Sequence, residues 1–578
     1  MQNLEIAAVL REVADLLEIQ GANPFRVRAY RNAVRTIGDL TRSLEEMVSS
    51  GEDLTQLSGI GKEMASHIRE LLETGELETL QALGRDVPRT LADLTRLEGV
   101  GPKKARKLWD ELGVTSVDEL QEALDADKVA GLEGFGTRTS QKIGRAIQDF
   151  RKQQGRFLLS EADALVRPLI EFMEAVTGVE RVEVAGSYRR RKETVGDVDL
   201  LVLAEGNTEE IMSRFRAYPG ASRVEAAGES RGRIHLRSGL PVDMRIIPRE
   251  AYGAALHYFT GSKEHNVAVR ALGVRKGLKI SEYGVFSGGS AEIREGGQRE
   301  ADVFEAVGLP WIPPVLRENR GEVEAAGKGI LPSLLGRSDL RGDLQMHSTW
   351  SDGANSLQEM AAVCRDRGYE YLAITDHSQS VTVAGGLTPD RVRRQWEEID
   401  SVRREVGGIH LFRSLEVDIL KDGSLDMPDE ILEELDLVLV SVHTFMNMSR
   451  SEMTHRVIRA LEHPEVDILA HPTGRILNRR RPFDLDVEAV LQAALSLDVA
   501  VELNAHPSRL DLNDRHLRRA KELGVKIAVS TDAHSVQDLA LMQYGVDQAG
   551  RGWLEPADVL NALPLEEFEA WRNRSRSR

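Results

Sequence analysis

Apolar residues follow three successive patterns along the chain, and each pattern predicts a different kind of structure. Up to about residue 155 they recur at i, i+3 and i+4 in short segments broken by Gly-x-Gly turns, which predicts short helices. From about residue 181 they form short β-branched runs at 182–184, 198–203 and 233–236, which predict strands with helices between them. Beyond residue 340, apolar strands alternate with amphipathic helices down to about residue 550.

Two segments lack these patterns. Residues 312–340 contain two consecutive prolines, a Gly-Lys-Gly sequence and a polar Arg-Ser-Asp stretch, and we interpret them as a loop-like linker. The last seven residues, 572–578, are mainly arginine and serine and are predicted to be disordered.

Composition and charge narrow the class of protein. A chain of 578 residues predicts three or four domains at ~150 residues each. No apolar run approaches the ~20 residues of a membrane span, and the single cysteine, Cys364, excludes intramolecular disulfides and cysteine-based zinc modules. The net charge is −18, but most of the acidity follows residue 340, and basic clusters remain at 103–107 and 189–192. We expect a soluble cytoplasmic protein for which a nucleic-acid partner stays open.

A glycine motif occurs three times in the helical region. Each copy reads Leu-x-Gly, an apolar residue and Gly, and it follows one helix and opens the next. Glycine permits the tight turn, and free N–H groups at the new helix N-terminus face an anion. The motif resembles the helix-hairpin-helix, which holds a DNA backbone phosphate without reading sequence. Plain packing turns in a helical bundle are the alternative. The predicted DNA-binding residues of the motifs are Gly59, Gly61, Gly99, Gly101, Lys103, Lys104, Gly134 and Gly136.

Two carboxylates on a predicted strand indicate a first catalytic site. Asp197 and Asp199 are two residues apart, so an extended chain places both on one face. Divalent cations such as Mg²⁺ prefer oxygen ligands, and two such ions about 4 Å apart suit phosphoryl transfer. Upstream, Gly186 and Ser187 open a turn with donors for a triphosphate, and Arg190 adds positive charge.

A later strand and the segment after it give this site a family resemblance. Asp243 lies on an apolar strand and supplies a third carboxylate, so that the set looks like the nucleotidyltransferase palm. His-Tyr-Phe-Thr-Gly-Ser at 257–262, followed by Asn266 and Arg270, is similar to the sugar- and base-contacting region of X-family DNA polymerases. The resemblance covers about residues 1–320.

The resemblance implies a role for each matching residue. Asp197 and Asp199 would bind two Mg²⁺ or Mn²⁺ ions, with Asp243, also a ligand, activating the primer 3′-hydroxyl, and Arg270 would contact DNA. Core packing is the alternative for the two aromatic residues. The implied dNTP-binding residues are Gly186, Ser187, Arg190, Gly196, Tyr258, Phe259, Gly261 and Asn266.

The C-terminal region predicts a second, metal-based site. Ten of the 14 histidines follow residue 340, and seven strand-like runs there end, in nearly every case, in a potential metal ligand. The C-terminal ends of the strands of a β/α barrel share one rim, so these side chains converge. Imidazole and carboxylate groups suit zinc, manganese or iron.

This arrangement resembles the PHP (polymerase and histidinol phosphatase) domain, a seven-stranded barrel with a trinuclear phosphoesterase site. The resemblance implies up to three Mn²⁺ or Zn²⁺ ions. Asp376, His463 and His506 are expected outside the ligand set. The implied ligands are His347, Asp352, His377, Glu416, His443, His471, Asp532 and His534.

Two positions depart from the family patterns. Relatives that excise deoxyribose phosphate use a lysine as a Schiff-base nucleophile where this chain has His67, which argues against that lyase activity. The PHP domain begins with His-x-His, but the first position here is Gln345. An amide oxygen is a poorer ligand, so one metal ion is expected to bind weakly or differently.

Together these features predict a multidomain protein with helical helix-hairpin-helix domains, an α+β nucleotidyltransferase palm and thumb, and a C-terminal (β/α)7 PHP barrel. The expected boundaries are 1–84 and 85–155 for the two helical domains, 156–250 for the palm, 251–318 for the thumb, 319–339 for the linker and 340–570 for the barrel.

The resemblance implies a bacterial X-family polymerase that fills short gaps in DNA repair, with a Mn²⁺-dependent 3′→5′ exonuclease in the barrel. Its expected partners are gapped or primer-template DNA and dNTPs, without a membrane, and the protein is expected to act as a nucleoid-associated monomer. Three alternatives stay open: a barrel that is a structural metal-binding module, a barrel that hydrolyses a small phosphate ester, and a DNA-binding scaffold without catalysis.

Overall fold

In a computed structural model, which describes residues 3–39, 44–57, 59–97, 99–153, 155–287 and 293–575, the chain forms two compact units. The first unit consists of Met1–Val182, Asn207–Arg245 and Asn478–Arg480. The second consists of Glu183–Gly206, Ile246–Leu477 and Arg481–Arg578.

Short helices fill the N-terminal part of the first unit, as the apolar spacing predicts. Their apolar faces form one core that includes Leu10, Ile68, Leu108 and Ile143. Helix formation is stabilised mainly by this packing, because helices of this length are marginal in isolation. The helices are α1 (Asn3–Gln20), α2 (Pro24–Asp39), α3 (Leu44–Ser49), α4 (Lys62–Thr74), α5 (Glu78–Asp86), α6 (Leu91–Thr95), α7 (Pro102–Leu112), α8 (Val117–Asp125) and α9 (Thr137–Gln153).

The chain continues into β1 (Phe157–Leu158), α10 (Leu159–Glu174) and β2 (Val179–Val184). The next three elements belong to the second unit and are α11 (Gly186–Arg189), β3 (Thr194–Val195) and β4 (Val198–Ala204). Helix α12 (Thr208–Arg216) returns the chain to the first unit, where β5 (Ala221–Ala227), β6 (Arg231–Leu236) and β7 (Pro241–Ile247) pair antiparallel.

The part of the second unit that precedes the barrel combines helices with a small antiparallel sheet. Strands β8, β9 and β10 pair in sequence order, as expected for successive hairpins. The elements are α13 (Tyr252–Thr260), α14 (Lys263–Arg275), β8 (Lys279–Ser281), β9 (Gly284–Ser287), β10 (Ile293–Gly296), α15 (Glu300–Val307) and α16 (Glu322–Lys328).

Helix α16 corrects the expectation of a loop-like segment at 312–340. It lies between Gly321 and Gly329, which both have positive φ. Val323 and Ala326 are buried in a core shared with the preceding helices, and buried Glu322 contacts His265 on α14. Glycines therefore mark both ends of a packed helix here, and a short apolar face between them outweighs the polar composition.

Seven parallel strands form the barrel, which confirms the prediction of a (β/α)7 fold. They pair in sequence order, and a parallel bridge between Met346 and Ala533 joins the first strand's extension to the last. The strands are β11 (Gly342–Asp343), β12 (Tyr371–Ile374), β13 (His410–Asp418), β14 (Leu437–Ser441), β15 (Ile468–Leu469), β16 (Ala500–Asn504) and β17 (Ile527–Ser530). The helices are α17 (Leu357–Asp366), α18 (Pro389–Val406), α19 (Asp429–Leu432), α20 (Arg450–Leu461), α21 (Val487–Ser496), α22 (Asp514–Leu523), α23 (Met542–Arg551) and α24 (Leu565–Ser575).

Helix α24 also corrects the prediction of a disordered tail at 572–578. It continues to Ser575, and Phe568 and Trp571 pack on residues inside the barrel. These two aromatic side chains anchor the helix, so its polar last turn is ordered as well; residues 576–578 lie outside the described part. Among the helices of the described residues, none is long and apolar enough to cross a membrane.

Candidate active sites

The barrel brings all eight predicted ligands to one rim, because each lies near or beyond the C-terminal end of a parallel strand. Glu416 lies at the centre and is fully buried. Its Oε1 is 2.8 Å from Nε2 of His471 and 3.6 Å from Nε2 of His443. Its Oε2 is 3.0 Å from Nδ1 of His377 and 3.6 Å from Nε2 of His347. One carboxylate therefore joins histidines from four strand ends.

A second group of ligands surrounds Asp352. Its Oδ2 is 3.5 Å from Nε2 of His534, and its Oδ1 is 3.7 Å from Nε2 of His377. One ligand atom from each of Asp352, His347, His377 and His534 lies within 4.8 Å of all the others. Asp532 completes the cluster, with its Oδ1 3.1 Å from Nε2 of His347.

Charges within the cluster shift the pKa values of its members. Burial opposes a charge on His377, but Glu416 outweighs it and raises the pKa of His377 to about 9. Burial likewise opposes a charge on His534, and Asp352 raises the pKa of His534 to about 10. Burial opposes ionisation of Glu416, yet the neighbouring histidines hold its pKa well below the usual value. A raised pKa favours the protonated form of His377 and His534, and a cation bound by these nitrogens would displace the proton.

The donor set fits divalent metal ions. Nδ1 of His347 and Nδ1 of His471 are buried and lack a hydrogen-bond partner among the described residues. Buried polar atoms are normally satisfied, so these two nitrogens are available as metal-ligating atoms. Imidazole nitrogen and carboxylate oxygen suit Mn²⁺ and Zn²⁺.

Gln345 and Arg509 border the cluster. One end of the buried Gln345 side-chain amide faces only hydrogen-bond acceptors. The amide nitrogen is therefore assigned to that end, where it donates to Glu502 Oε2 at 3.0 Å. Glu502 also accepts the backbone N–H of His471 at 2.6 Å, and burial, reinforced by Asp532, raises the pKa of Glu502 well above the usual value. Arg509 Nε lies 3.4 Å from Asp532 Oδ2 and places a cation at the rim.

Several buried carboxylates position the ligands, and the sequence reasoning missed most of them. Asp418 accepts the backbone N–H of His443 at 2.9 Å. Asp376, expected outside the ligand set, is fully buried and accepts the N–H and the hydroxyl of Ser348 at 2.9 and 2.7 Å. In the sequence, these carboxylates could have been found as acidic residues inside or directly after an apolar strand.

The predicted triphosphate turn lies beside one of the predicted palm ligands. Gly186 opens α11 with φ +63°, and a side chain at this position would collide with the Asp199 carboxylate. Gly196 and the exposed Asp197 directly precede β4, and half-buried Asp199 is the second residue of that strand. Only glycine allows the turn to approach the carboxylate so closely.

Arginines hold this turn against the α13–α14 region. Arg189 donates to Thr260 Oγ1 at 2.8 Å and pairs with Glu300 at 2.5 Å. Arg190 pairs with Glu318 at 3.0 Å and donates to the carbonyl of Thr260 at 2.8 Å. The predicted phosphate-binding guanidinium is thus already neutralised by a carboxylate.

The predicted sugar- and base-contacting residues lie around the turn between α13 and α14. Tyr258 and Phe259 are half-buried and pack edge to face, with ring centroids 5.1 Å apart. Asn266 is 7% exposed, and its amide donates to the Tyr258 carbonyl at 2.6 Å. Gly261 leaves the space that Asn266 occupies, and the exposed Arg270 donates from Nε to the Asn266 carbonyl at 3.3 Å.

Asp243 lies in the first unit, whereas Asp197 and Asp199 lie in the second, so their convergence stays a prediction. On β7 its carboxylate forms a two-point ion pair with Arg233 on β6, at 2.8 and 2.5 Å. The two residues are direct cross-strand partners.

The three glycine motifs form turns that open helices, as predicted. The first glycine of each copy has a left-handed backbone, with φ +74° at Gly59, +91° at Gly99 and +87° at Gly134. Gly61 and Gly101 are extended N-cap residues of α4 and α7, and Gly136 directly precedes α9. Lys103 is exposed, whereas the ammonium of Lys104 donates to the Gly99 carbonyl at 3.0 Å.

His67 is held by structural contacts within α4 and its surroundings. Its Nδ1 lies 3.2 Å from the Tyr30 hydroxyl, and its Nε2 lies 3.3 Å from the Thr79 hydroxyl. The ring also stacks on Tyr30, and burial lowers the pKa of His67. An imidazole has no primary amine, so His67 cannot form a Schiff base.

Comparisons with known proteins agree with this geometry. Family matches are a helix-hairpin-helix domain at residues 1–77, a SAM-like helix-hairpin-helix tandem at 91–149, the DNA polymerase beta palm at 159–220 and the DNA polymerase beta thumb at 255–318. DNA polymerase lambda of Rattus norvegicus is 27% identical over 352 residues, which are 55% of this chain and 56% of that protein. A probable phosphatase of Syntrophotalea carbinolica is 28% identical over 229 residues, 38% of this chain and 90% of that protein.

One similarity spans the whole chain. The DNA polymerase/3′-5′ exonuclease PolX of Bacillus subtilis is 40% identical over 577 residues, which are 100% of both proteins. The match therefore spans the helical domains, the palm and thumb, and the barrel. This chain belongs to the bacterial PolX family, the X-family DNA polymerases with a C-terminal PHP domain.

Proposed function

We propose that this protein is a template-directed DNA polymerase that fills short gaps during repair, including base excision repair, and whose barrel shortens DNA as a Mn²⁺-dependent 3′→5′ exonuclease. The observation that supports it best is the convergence of the predicted ligands on Glu416 in a chain that matches PolX over its full length. Three helix-opening glycine turns supply sites for the DNA backbone.

In the polymerase reaction, Asp197 and Asp199 would hold the divalent ions and Asp243 would accept the proton of the primer 3′-hydroxyl. The ions supply charge stabilisation for phosphoryl transfer when bound. Ser187 and the N–H groups of the turn would bind the triphosphate. Arg190 joins them when the phosphates displace Glu318 from its guanidinium.

In the nuclease reaction, the clustered histidines and carboxylates would hold up to three Mn²⁺ or Zn²⁺ ions around the scissile phosphodiester. Such ions act as Lewis acids on phosphoryl oxygens. Arg509, with its Nε 3.4 Å from Asp532, provides a cation at the same rim for the phosphate. Gln345, held by Glu502, would leave one metal position with fewer strong ligands.

A labelled primer on a gapped template with Mn²⁺, with and without dNTPs, tests both activities. We expect Asp197→Ala to abolish extension only and His347→Ala to abolish shortening only, whereas the exposed control His455→Ala changes neither. Shortening that survives in His347→Ala would contradict the barrel assignment and return the barrel to the role of a structural metal-binding module.

Similarity to a probable phosphatase favours a second candidate for the barrel, hydrolysis of small phosphate esters. Turnover of p-nitrophenyl phosphate is compared with that of oligonucleotides of increasing length. Rates that rise with DNA length support the exonuclease, because the helical domains then contribute binding. Equal rates for all lengths would favour the small-ester activity.

The proposed substrate also implies where and in what form the protein acts. We expect a monomer on nucleoid DNA, because one chain carries DNA-backbone turns and both reaction sites. Light scattering of the free protein and of its complex with gapped DNA checks this, and a dimer in both would contradict it.

A further inference from the structure

An exposed aromatic side chain lies in the loop that carries the predicted ligand His443. Phe445 follows the ligand His443 by two residues and is 59% exposed. Its neighbours Met446 and Met448 pack against the barrel core, whereas Phe445 itself does not. Its φ of +50° is unusual for a bulky residue. The loop thus has a strained backbone at Phe445 and leaves the aromatic ring exposed to solvent.

A positive charge accompanies this ring. Nζ of Lys421 lies 5.6 Å from the Phe445 ring centroid, although Lys421 belongs to a different loop. Lys421 follows β13 and Phe445 follows β14, so both lie at the C-terminal ends of adjacent strands, on the rim that carries the ligands. The ring and the ammonium are therefore neighbours on this rim.

Buried Arg456 fixes the two loops relative to each other. Its side chain is 1% exposed and reaches both loops from α20. Its Nε donates to the Leu420 carbonyl at 2.8 Å, its Nη2 to the Ile419 carbonyl, and its Nη1 to the Thr444 carbonyl at 2.9 Å. The aromatic ring and the lysine thus sit on a preorganised platform.

We propose that Phe445 and Lys421 bind the 3′-terminal nucleotide of the strand that the barrel shortens. The base stacks on the Phe445 ring, and Lys421 contacts a backbone phosphate. Two residues of extended chain span at most about 7 Å, so the ring lies within reach of a nucleotide whose phosphate is at His443. Stacking on an aromatic ring accepts any base, as an exonuclease requires. This inference rests on the proposed exonuclease function.

Paired substrates test the stacking contact. The full chain shortens a single-stranded oligonucleotide with an ordinary 3′ end and the same oligonucleotide with a 3′-terminal abasic residue. We expect Phe445→Ala to lower kcat/KM about 10- to 100-fold on the ordinary end and to leave the abasic end unchanged. Phe445→Trp restores the rate. The control Leu495→Ala removes an exposed apolar side chain from α21 without effect. Equal losses on both substrates, or none, would overturn the proposal.

The proposed phosphate contact of Lys421 is tested by the salt dependence of binding, because it does not depend on the terminal base. Lys421→Ala is expected to weaken binding of both substrates equally and to reduce the salt dependence of KM by about 0.7 in log–log slope. Lys421→Arg preserves the slope. Lys526→Ala is the matched control, since Lys526 precedes β17 at the opposite end of the barrel. An unchanged slope in Lys421→Ala would contradict the phosphate contact.

A binding measurement separates this inference from the proposed function. An oligonucleotide with 2-aminopurine at its 3′ end loses fluorescence when the base stacks. We expect quenching by the wild type and by His347→Ala, and its loss in Phe445→Ala. Quenching by the wild type without any shortening would refute the exonuclease but not the stacking site, and shortening by the wild type without quenching would refute the stacking site alone. Unchanged melting temperatures show that the variants are folded.

Discussion

Under the proposed function, the glycine turns of the first unit and the predicted ligand cluster of the second would bind phosphate in different ways. The turns use main-chain N–H groups, and each is built from a few consecutive residues around a left-handed glycine such as Gly99. The cluster uses side chains from strand ends spread from His347 to His534. A backbone site is local and repeatable, whereas a side-chain site depends on the register of a whole barrel.

This difference predicts how substitutions impair the function of each region. In the barrel, loss of one central ligand removes a charge shared by several histidines. In a turn, the backbone donors survive most substitutions, so only a strained backbone or a new methyl group affects function. The following experiments test that contrast, from the largest expected effect to the smallest.

Glu416→Gln is expected to cause the largest loss. The amide cannot balance the four histidines around Glu416, and the lost ion supplies several kcal/mol of transition-state stabilisation, so we expect shortening to fall about 1,000-fold or more. Extension stays unchanged. The exposed control Glu434→Gln has no effect in the same assay. A loss below tenfold would show that the cluster is as tolerant as a backbone turn.

Mn²⁺ is expected to stabilise the barrel. Metal binding to the folded state at 100 times its Kd adds about 2.7 kcal/mol, which raises the melting temperature, and EDTA reverses the gain. The gain is expected to increase with pH up to the pKa values of His377 and His534, about 9 and 10, because binding displaces their protons. Calorimetry of the wild type and His347→Ala checks this; equal shifts in both would contradict the ligand assignment.

Asp418→Asn tests whether Asp418 orients His443 or binds the metal ion directly. The amide can still accept the His443 N–H, but it no longer attracts the ring, whose Nδ1 lies 3.3 Å from Asp418 Oδ1. We expect a 10- to 100-fold loss of shortening or metal affinity, typical of residues that orient ligands. Isothermal titration with Mn²⁺ checks the affinity. An effect as large as that of Glu416→Gln would instead make Asp418 a direct ligand.

A matched glycine pair gives the smallest effect and separates stability from binding. Gly99→Ala strains a left-handed position and is expected to cost about 1–2 kcal/mol of unfolding free energy. Gly101→Ala has an extended backbone and open space, so stability stays unchanged. Its methyl group blocks a phosphate at α7 and weakens DNA binding about tenfold, as the loss of one charged hydrogen bond does. Denaturation and fluorescence anisotropy measure the two effects, and an unaltered DNA affinity of Gly101→Ala would favour the packing-turn alternative.

Local signals made much of this protein predictable. The helical spacing, the repeated glycine turns and the seven apolar strands of the barrel each follow from neighbouring residues, and the barrel topology confirms the seven strands. The failures have a physical cause as well. The polar segment around Glu322 forms helix α16, and the tail forms the end of α24, because distant apolar residues cover Val323 and Trp571.

The sequence by itself determined the residue types, their order along the strands and the turns that need glycine, since these depend on periodicity and backbone sterics. Only the tertiary structure decided that Glu416 lies among four histidines, that Gln345 is held by Glu502, and that Arg190 is paired with Glu318. Those contacts join residues tens to hundreds of positions apart. Their geometry depends on strand register and packing, which no local pattern encodes.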